Sequence, residues 1–364
     1  MVRRRPWKSP NPFTHNIQMK AFRRYAKQPR AARLEEANVP EPGEDEVRLR
    51  VSHCGICGSD LHAWLDHPGY EFVLEQVTFG HELSGVVEKV GDRVSEWKEG
   101  DKAVMIALQT HHDEADPYCK EGLPQLSERR RVQGLHLDGG MAEYVVVHKE
   151  FLIPVPDGLD MRLAALTEPL SVGEHCIANR SSIGEGTKVV VTGPGIIGAF
   201  CAISARHRGA DVLIAGTERD EKARLSALRK IGFSTVTVGP ELPPLDEQVA
   251  QHFGEPAEAL VEASGAPPVL ADAWKTLRSN GTVTVVALYG ANVDFPITQY
   301  VRKQIDLRVT YASSGPDYLR ALDLLREGAV ELEALVNVYP LDEAEQGFRD
   351  SEAQAVMKPM LACS

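Results

Sequence analysis

Six residues, "GPGIIG" from Gly193 to Gly198, constrain the fold of this 364-residue chain more than any other feature. A β-branched run, Val189–Thr192, leads into them, and the small apolar stretch "AFCAISA" follows. The spacing is G-x-G-x-x-G, between a strand and a helix. Gly193 permits the tight turn, Gly195 lets backbone approach a pyrophosphate, and Gly198 lets the helix close on the strand. The helix opening at Ile196 and Ile197 then presents its free N–H groups to the phosphates. Residues 193–198 therefore predict a dinucleotide site formed by Gly193, Gly195, Ile196, Ile197 and Gly198.

The next strand, "DVLIAG", leads to the group that reads the adenosine ribose. An acid there selects NAD, because it bonds the 2′-hydroxyl and repels a 2′-phosphate. Gly216 and Thr217 occupy the position instead, followed by Glu218 and Arg219. The two small residues leave room for a phosphate and Arg219 can neutralise one, while Glu218 acts in the other direction. The cofactor is NAD(P), and the balance favours NADP, with Thr217 and Arg219 as the discriminating contacts.

Around this unit the texture changes twice. Residues 1–18 are polar and proline-containing, an N-terminal extension without period. From Met19 to Glu168 short alternating runs such as "EDEVRLRVSHC", "LSGVVEKVG" and "MAEYVVVHK" predict strands. From 169 to 303 strands and helices alternate, with "EALVEASG" and "GTVTVVALYG" as further buried strands, which predicts a doubly wound parallel sheet. From 304 to 364 an amphipathic helix, "DYLRALDLLREG", precedes a closing strand, "VMKPMLAC". The chain is thus α/β, with a parallel-sheet domain inserted between a β-rich region and its return.

Charge and cysteine usage exclude several partners. The formal net charge of −12 argues against nucleic acid or an anionic membrane. The most apolar window, 189–205, falls short of the about 20 residues a membrane helix needs, and glycine and proline interrupt it. Basic Arg3, Arg4, Arg5 and Lys8 are followed by aromatics and prolines, not by the apolar run of a secretory signal. Six cysteines are too sparse for a disulfide scaffold, which places the chain in the cytoplasm.

The remaining signal is a set of metal-ligand side chains. Cys57 lies in "HCGICGSDLH", His81 and Glu82 in "FGHELSGVVEKVGDRV", and Glu168 in "LTEPLSVG". Thiolate, imidazole and carboxylate are the ligands of a catalytic zinc, which keeps one position open. In this order, with "GD" at Gly100–Asp101 and "GPGIIG" beyond, the motifs resemble the zinc-dependent medium-chain dehydrogenase/reductase family, its sorbitol- and threonine-dehydrogenase-like branch in particular. The resemblance covers nearly the whole chain from Met19.

That resemblance implies a GroES-like β-rich catalytic domain joined to a Rossmann cofactor domain, with zinc and nicotinamide in the cleft. It implies Cys57, His81 and Glu168 as zinc ligands and Glu82 as an adjacent acid able to approach the metal. Three anions would overcompensate Zn²⁺, which sends one glutamate to act through water or from behind the ligands. It further implies that Ser59 takes the substrate's proton and that His62 passes it towards solvent. His67, Trp64 and Tyr70 are candidates for lining the pocket.

The lobe at 108–134 carries only Cys119 where relatives hold four cysteines, so one zinc and no structural zinc is expected. His111, His112 and Asp116 are read there as a solvated loop. The implied reaction oxidises a secondary alcohol of a polyol, sugar or amino alcohol to a ketone, with hydride passing to NAD(P)⁺. A primary-alcohol dehydrogenase or aldehyde reductase of the same family, and a non-catalytic NAD(P)-binding redox sensor, are the alternatives. Family members commonly form homodimers or homotetramers.

Overall fold

The computed structural model describes residues 17–328 and 332–364. Residues 1–16 of the expected extension lie outside them. The first strand, Gln18–Arg24, begins inside the stretch assigned to that extension and pairs with Ala32–Asn38.

The β-branched run Lys188–Thr192 is central in a six-stranded, all-parallel sheet. The order across the sheet is Ser234–Val238, Asp211–Thr217, Lys188–Thr192, Ala257–Glu262, Leu277–Val285, Asp306–Val309. In chain order this is 3-2-1-4-5-6, the doubly wound arrangement of a dinucleotide-binding domain. Val189, Val190 and Val191 have no exposed surface, because helices cover both faces. The order reverses between Lys188–Thr192 and Ala257–Glu262, and a crevice opens at their C-terminal ends.

One sequence boundary moves. Asp306–Val309 is the sixth parallel strand, so this sheet continues past residue 303, where the return was expected. As an edge strand it keeps three of its four residues exposed, which removes the apolar signature that marks its neighbours.

The β-rich part is a seven-stranded sheet centred on Glu46–Gly55, which pairs antiparallel with Glu82–Val90 and Tyr144–His148. The closing strand Lys358–Ala362 lies on its other side, with Met360 opposite Gly55 and Leu361 opposite Cys54. Val47, Leu49 and Val51 alternate into a dry core, as a half-buried strand requires. Gly58–Trp64 is a short helix that periodicity does not disclose, since seven residues hold barely two turns. Its start is written in polar chemistry instead: the Asp60 carboxylate accepts a hydrogen bond from Cys57 N at 3.1 Å.

The two parts are joined by the helix Thr167–Glu174, packed against Gly315–Arg326. The Asp317 carboxylate organises that contact. It accepts from Ser314 N at 2.8 Å, from Asn179 at 2.8 Å and shares a 3.0 Å bond with His175. Ser171 and Ser313 meet at 2.6 Å one turn away. These buried bonds fix the helix that carries Glu168 into the region between the sheets.

The lobe at 108–134 is more ordered than a solvated loop. Leu108–Gln109 pairs with Arg131–Val132, and Asp116 caps the short helix Pro117–Lys120 by accepting from Tyr118 N and Cys119 N. Asp116 also accepts from Ser127 at 2.6 Å and pairs with Arg129. Its carboxylate is committed to the chain itself.

Candidate functional site

Each metal-ligand candidate reaches the site on a different element. Cys57 stands between the strand Glu46–Gly55 and the helix Gly58–Trp64. His81 and Glu82 come from the start of the neighbouring strand, behind Gly80, whose φ is +102°. A Cβ at Gly80 would lie 2.5 Å from Cys54 Sγ, so only glycine makes this turn without displacing the core. Ligand atoms of Cys57, His81 and Glu82 all lie within 4.8 Å of one another. That separation suits three ligands about 2.0–2.3 Å from a single ion.

Glu168 lies beside this trio rather than within it. Burial pushes its carboxyl up to about 7, and the neighbouring Glu82 adds to the rise while His81 and Lys358 oppose it. A carboxyl held partly protonated without a metal is one that a cation would return to its charged form.

The surroundings of His81 show the same preference. Its Nδ1 faces Asp60 Oδ1 at 3.4 Å, and Asp60 is fully buried. Burial works against charge on the imidazole, but Asp60 and the Cys57 sulfur outweigh it and hold His81 well above its usual range. Its Nε2 points the other way, 3.3 Å from Ser59 Oγ. A carboxylate behind one nitrogen and an open face at the other is the support given to metal-binding histidines.

Lys358 escaped the reading of the sequence. Its ammonium is buried at 1% exposure, donates to Ile56 O at 2.9 Å and pairs with Glu82 Oε2. Burial alone would strip its proton, yet the charges of Glu82 and Cys57 prevail and keep it above the usual lysine range. A Cβ at Gly55 would fall 2.0 Å from Glu82 Oε2 and 2.9 Å from Lys358 Cε, so the bare backbone there makes room for the pair. The available signal was a lysine inside an apolar closing strand, "VMKPMLAC".

Ser59 and His62, three residues apart, share one face of the Gly58–Trp64 helix. His62 Nδ1 and His67 Nδ1 share a 2.8 Å hydrogen bond, and the Tyr70 ring stacks on His62 at 5.2 Å. Partial burial, with His67 adding to it, holds His62 below the usual imidazole range and therefore neutral near pH 7. Trp64 does not line this opening. It is 1% exposed and packs on Phe348 in the core, because the helix turns it to the opposite face. Tyr70 remains beside the cluster, with Cys57, Asp60, His81 and Tyr311 among its neighbours.

In the parallel-sheet part the glycine turn meets the obstructions its spacing demands. Gly193 has φ +89°, and a Cβ there would meet Ser264 Cα at 2.6 Å. A Cβ at Gly198 would fall 2.0 Å from Gly193 O, whereas Gly195 faces open space. Gly195 caps the helix Ile196–His207, so the free N–H groups of Ile196 and Ile197 open onto that space. Thr217, Glu218 and Arg219 are exposed at the end of the next strand.

Comparison with known proteins matches two family models to separate parts of the chain. Residues 43–157 match a family described as alcohol dehydrogenase GroES-like domain, and residues 197–327 match one described as zinc-binding dehydrogenase. A sorbitol dehydrogenase from Halalkalibacterium halodurans is 31% identical over 332 residues, 90% of this chain and 94% of the relative.

The chain belongs to the zinc-dependent medium-chain dehydrogenase/reductase family.

Within that family it falls in the sorbitol dehydrogenase-like branch, and its fold is the GroES-like and Rossmann pair. The 2R,3R-butanediol dehydrogenase of Bacillus subtilis superposes with a TM-score of 0.85 at 26% identity, covering 95% of this chain and 100% of that one. A zinc-binding dehydrogenase from Sinorhizobium meliloti, solved bound to NADP, gives 0.85 at 27% identity over 95% of this chain and 99% of that one. No described helix is long and apolar enough to cross a membrane.

Proposed function

We propose that this family member oxidises a secondary alcohol of a polyol or sugar to the ketone, reversibly, with NADP⁺ as the preferred acceptor and one zinc at Cys57. The observation that carries it is the convergence of Cys57, His81 and Glu82 beside a buried Glu168, in a chain whose parallel sheet carries the glycine turn. The named relatives act on sorbitol and on 2R,3R-butanediol, both of which carry secondary hydroxyls.

Zinc held there would supply a Lewis acid that lowers the pKa of a substrate hydroxyl. The chain's residues do the remainder. Asp60 fixes the His81 ring from behind. Lys358 neutralises Glu82, so the ammonium and one Zn²⁺ together balance the charges of Cys57, Glu82 and Glu168. This accounts for the excess of acid in the ligand set, with Glu82 among the three converging side chains and Glu168 beside them. Ser59 Oγ, 3.3 Å from His81 Nε2, would accept the alcohol's proton while giving up its own towards His62, which shares its helix face. The neutral His62, bonded to His67, relays it towards the surface.

The test is absorbance at the nicotinamide band with a panel of polyols, sugars, amino alcohols and primary alcohols, NAD⁺ and NADP⁺ in parallel. Turnover confined to primary alcohols would overturn the secondary-alcohol reading.

The NADP preference rests on the ribose end. A Cβ at Gly216 would lie 2.7 Å from Pro194 Cγ, so no acid fits at that position. The buried acid nearby, Asp220, is bound to Thr217 N and Oγ1 at 2.9 Å and to Arg224. Arg219 is exposed and forms no ion pair with a described residue. Arg219→Ala is expected to lower kcat/KM for NADP⁺ about tenfold, the worth of one charge-assisted bond, and to leave NAD⁺ nearly unchanged. Equal losses with both cofactors would refute the assignment.

The edge strand Asp306–Val309 supports a homodimer. Leu307 and Val309 are 45% and 61% exposed there, with Val301 and Ile297 exposed nearby. An apolar sheet edge is normally covered, and a second copy can do so about a two-fold axis. Val309→Lys together with Leu307→Lys is expected to shift the mass in light scattering from a dimer to one 40.0 kDa chain. All six cysteines are free, which supports a reducing cytoplasm as the working compartment.

A further inference from the structure

A second group of metal-ligand side chains lies outside the cleft. His111, His148 and Glu150 place one ligand atom each within 4.8 Å of the others. His111 leaves the short strand Leu108–Gln109 of the lobe, His148 ends the strand Tyr144–His148, and Glu150 sits in the turn Lys149–Phe151. Two stretches of backbone, one at His111 and one running from His148 to Glu150, thus deliver three donors to one point on the surface.

Glu150 Oε2 is 2.8 Å from His111 Nδ1 and 3.4 Å from His148 Nδ1. The two imidazoles meet edge to face at 4.5 Å. Both rest on the ring of Phe151, at 5.0 and 5.9 Å, and Phe151 is buried, so a rigid platform orients them. Among the described residues no lysine or arginine pairs with Glu150. The side chains are 65%, 25% and 49% exposed in the order His111, His148, Glu150, which leaves one side open to water. His111 and His148 line a cavity of about 850 Å³.

We infer that His111, His148 and Glu150 form a peripheral site for a divalent ion of the zinc class, tying the 108–134 lobe to the β-rich domain. Two imidazoles and one carboxylate favour Zn²⁺, Co²⁺ or Ni²⁺ over Mg²⁺ and Ca²⁺, which take oxygen ligands. The open side holds water. No thiol contributes, so the site is distinct in chemistry from the one at Cys57. It serves a lobe held by polar bonds more than by an apolar core, built of a two-residue strand pair and a four-residue helix, with Arg130 reaching over Tyr311 at 5.6 Å. An ion at His111 holds the base of that lobe in place, and hence the arm that meets Tyr311.

The experiment is Co²⁺ titration of the full chain after chelator treatment, followed by absorbance and by metal analysis. The intact protein is expected to take up about one equivalent more than His111→Ala/His148→Ala. That extra equivalent raises the d–d bands without raising the thiolate-to-cobalt charge-transfer band, which reports Cys57 alone. Equal uptake by the two proteins overturns the site, and so does an extra equivalent that carries the thiolate band. Glu150→Gln, which keeps both rings, is expected to weaken the peripheral equivalent about tenfold or more, and unchanged affinity would overturn the ligand set. Failure of the Cys57 site would remove the charge-transfer band from every protein and leave the difference between intact and double variant to be read.

Discussion

Serine at position 57 is expected to give a folded protein without catalytic zinc and with kcat lowered about 10³-fold or more. The fold should survive, because Cys57 is the N-cap of the helix Gly58–Trp64 and serine is a preferred residue there. The Asp60 carboxylate bonds the backbone N of residue 57, which the substitution leaves in place. What is lost is the soft, anionic donor: a serine hydroxyl stays protonated and binds zinc weakly. His81 and Glu82 remain, and Glu82 is already engaged by Lys358. The measurements are zinc per chain, kcat on the best substrate and the thermal midpoint. A Cys57→Ser protein that keeps full activity would sink the catalytic site as drawn.

The second large effect concerns Lys358. Methionine there fills the same volume and removes the charge, leaving Glu82 buried at 1% exposure without its partner. Removing one member of a buried ion pair costs about 3–5 kcal/mol, because the other keeps its desolvation penalty. The loss is compounded here by Cys57 and Glu168, both anionic when zinc is bound and both close enough to act on Lys358. Lys358→Met is therefore expected to unfold at markedly lower urea and to hold zinc more weakly. Glu82→Gln with Lys358→Met should recover most of the stability, since no uncompensated charge remains. Urea unfolding of the single and double variants at matched zinc content decides it. Additive losses would mean that the two residues act independently, contrary to their contact.

Both effects rest on residues whose legibility in the sequence was uneven. Cys57 was singled out through the resemblance of the ordered motifs around it, and the structure brings it within 4.8 Å of His81 and Glu82. The glycines of "GPGIIG" were legible from their spacing, and each meets the obstruction its position predicts. Lys358 was not, although it touches Glu82. It lies 276 positions away in the numbering of the chain, on a strand that reaches the site only through the register of Met360 with Gly55. Trp64 was misplaced among the pocket candidates because a seven-residue helix gives too little periodicity to say which face is dry. The strand Asp306–Val309 was assigned to the return because an exposed edge lacks the apolar run of a buried strand.

The sequence by itself determined the doubly wound domain and the strand-rich domain around it, because these follow from short-range patterns of glycine and alternation, while the family was legible through the resemblance of its ordered motifs. The tertiary structure alone decided that Lys358 meets Glu82 beside Cys57, and that His111 of the lobe meets His148 and Glu150. These are contacts between stretches far apart in the chain. Electrostatic and ligand-field chemistry act over a few ångströms of space, and no local pattern encodes which distant side chains the fold will bring within that reach.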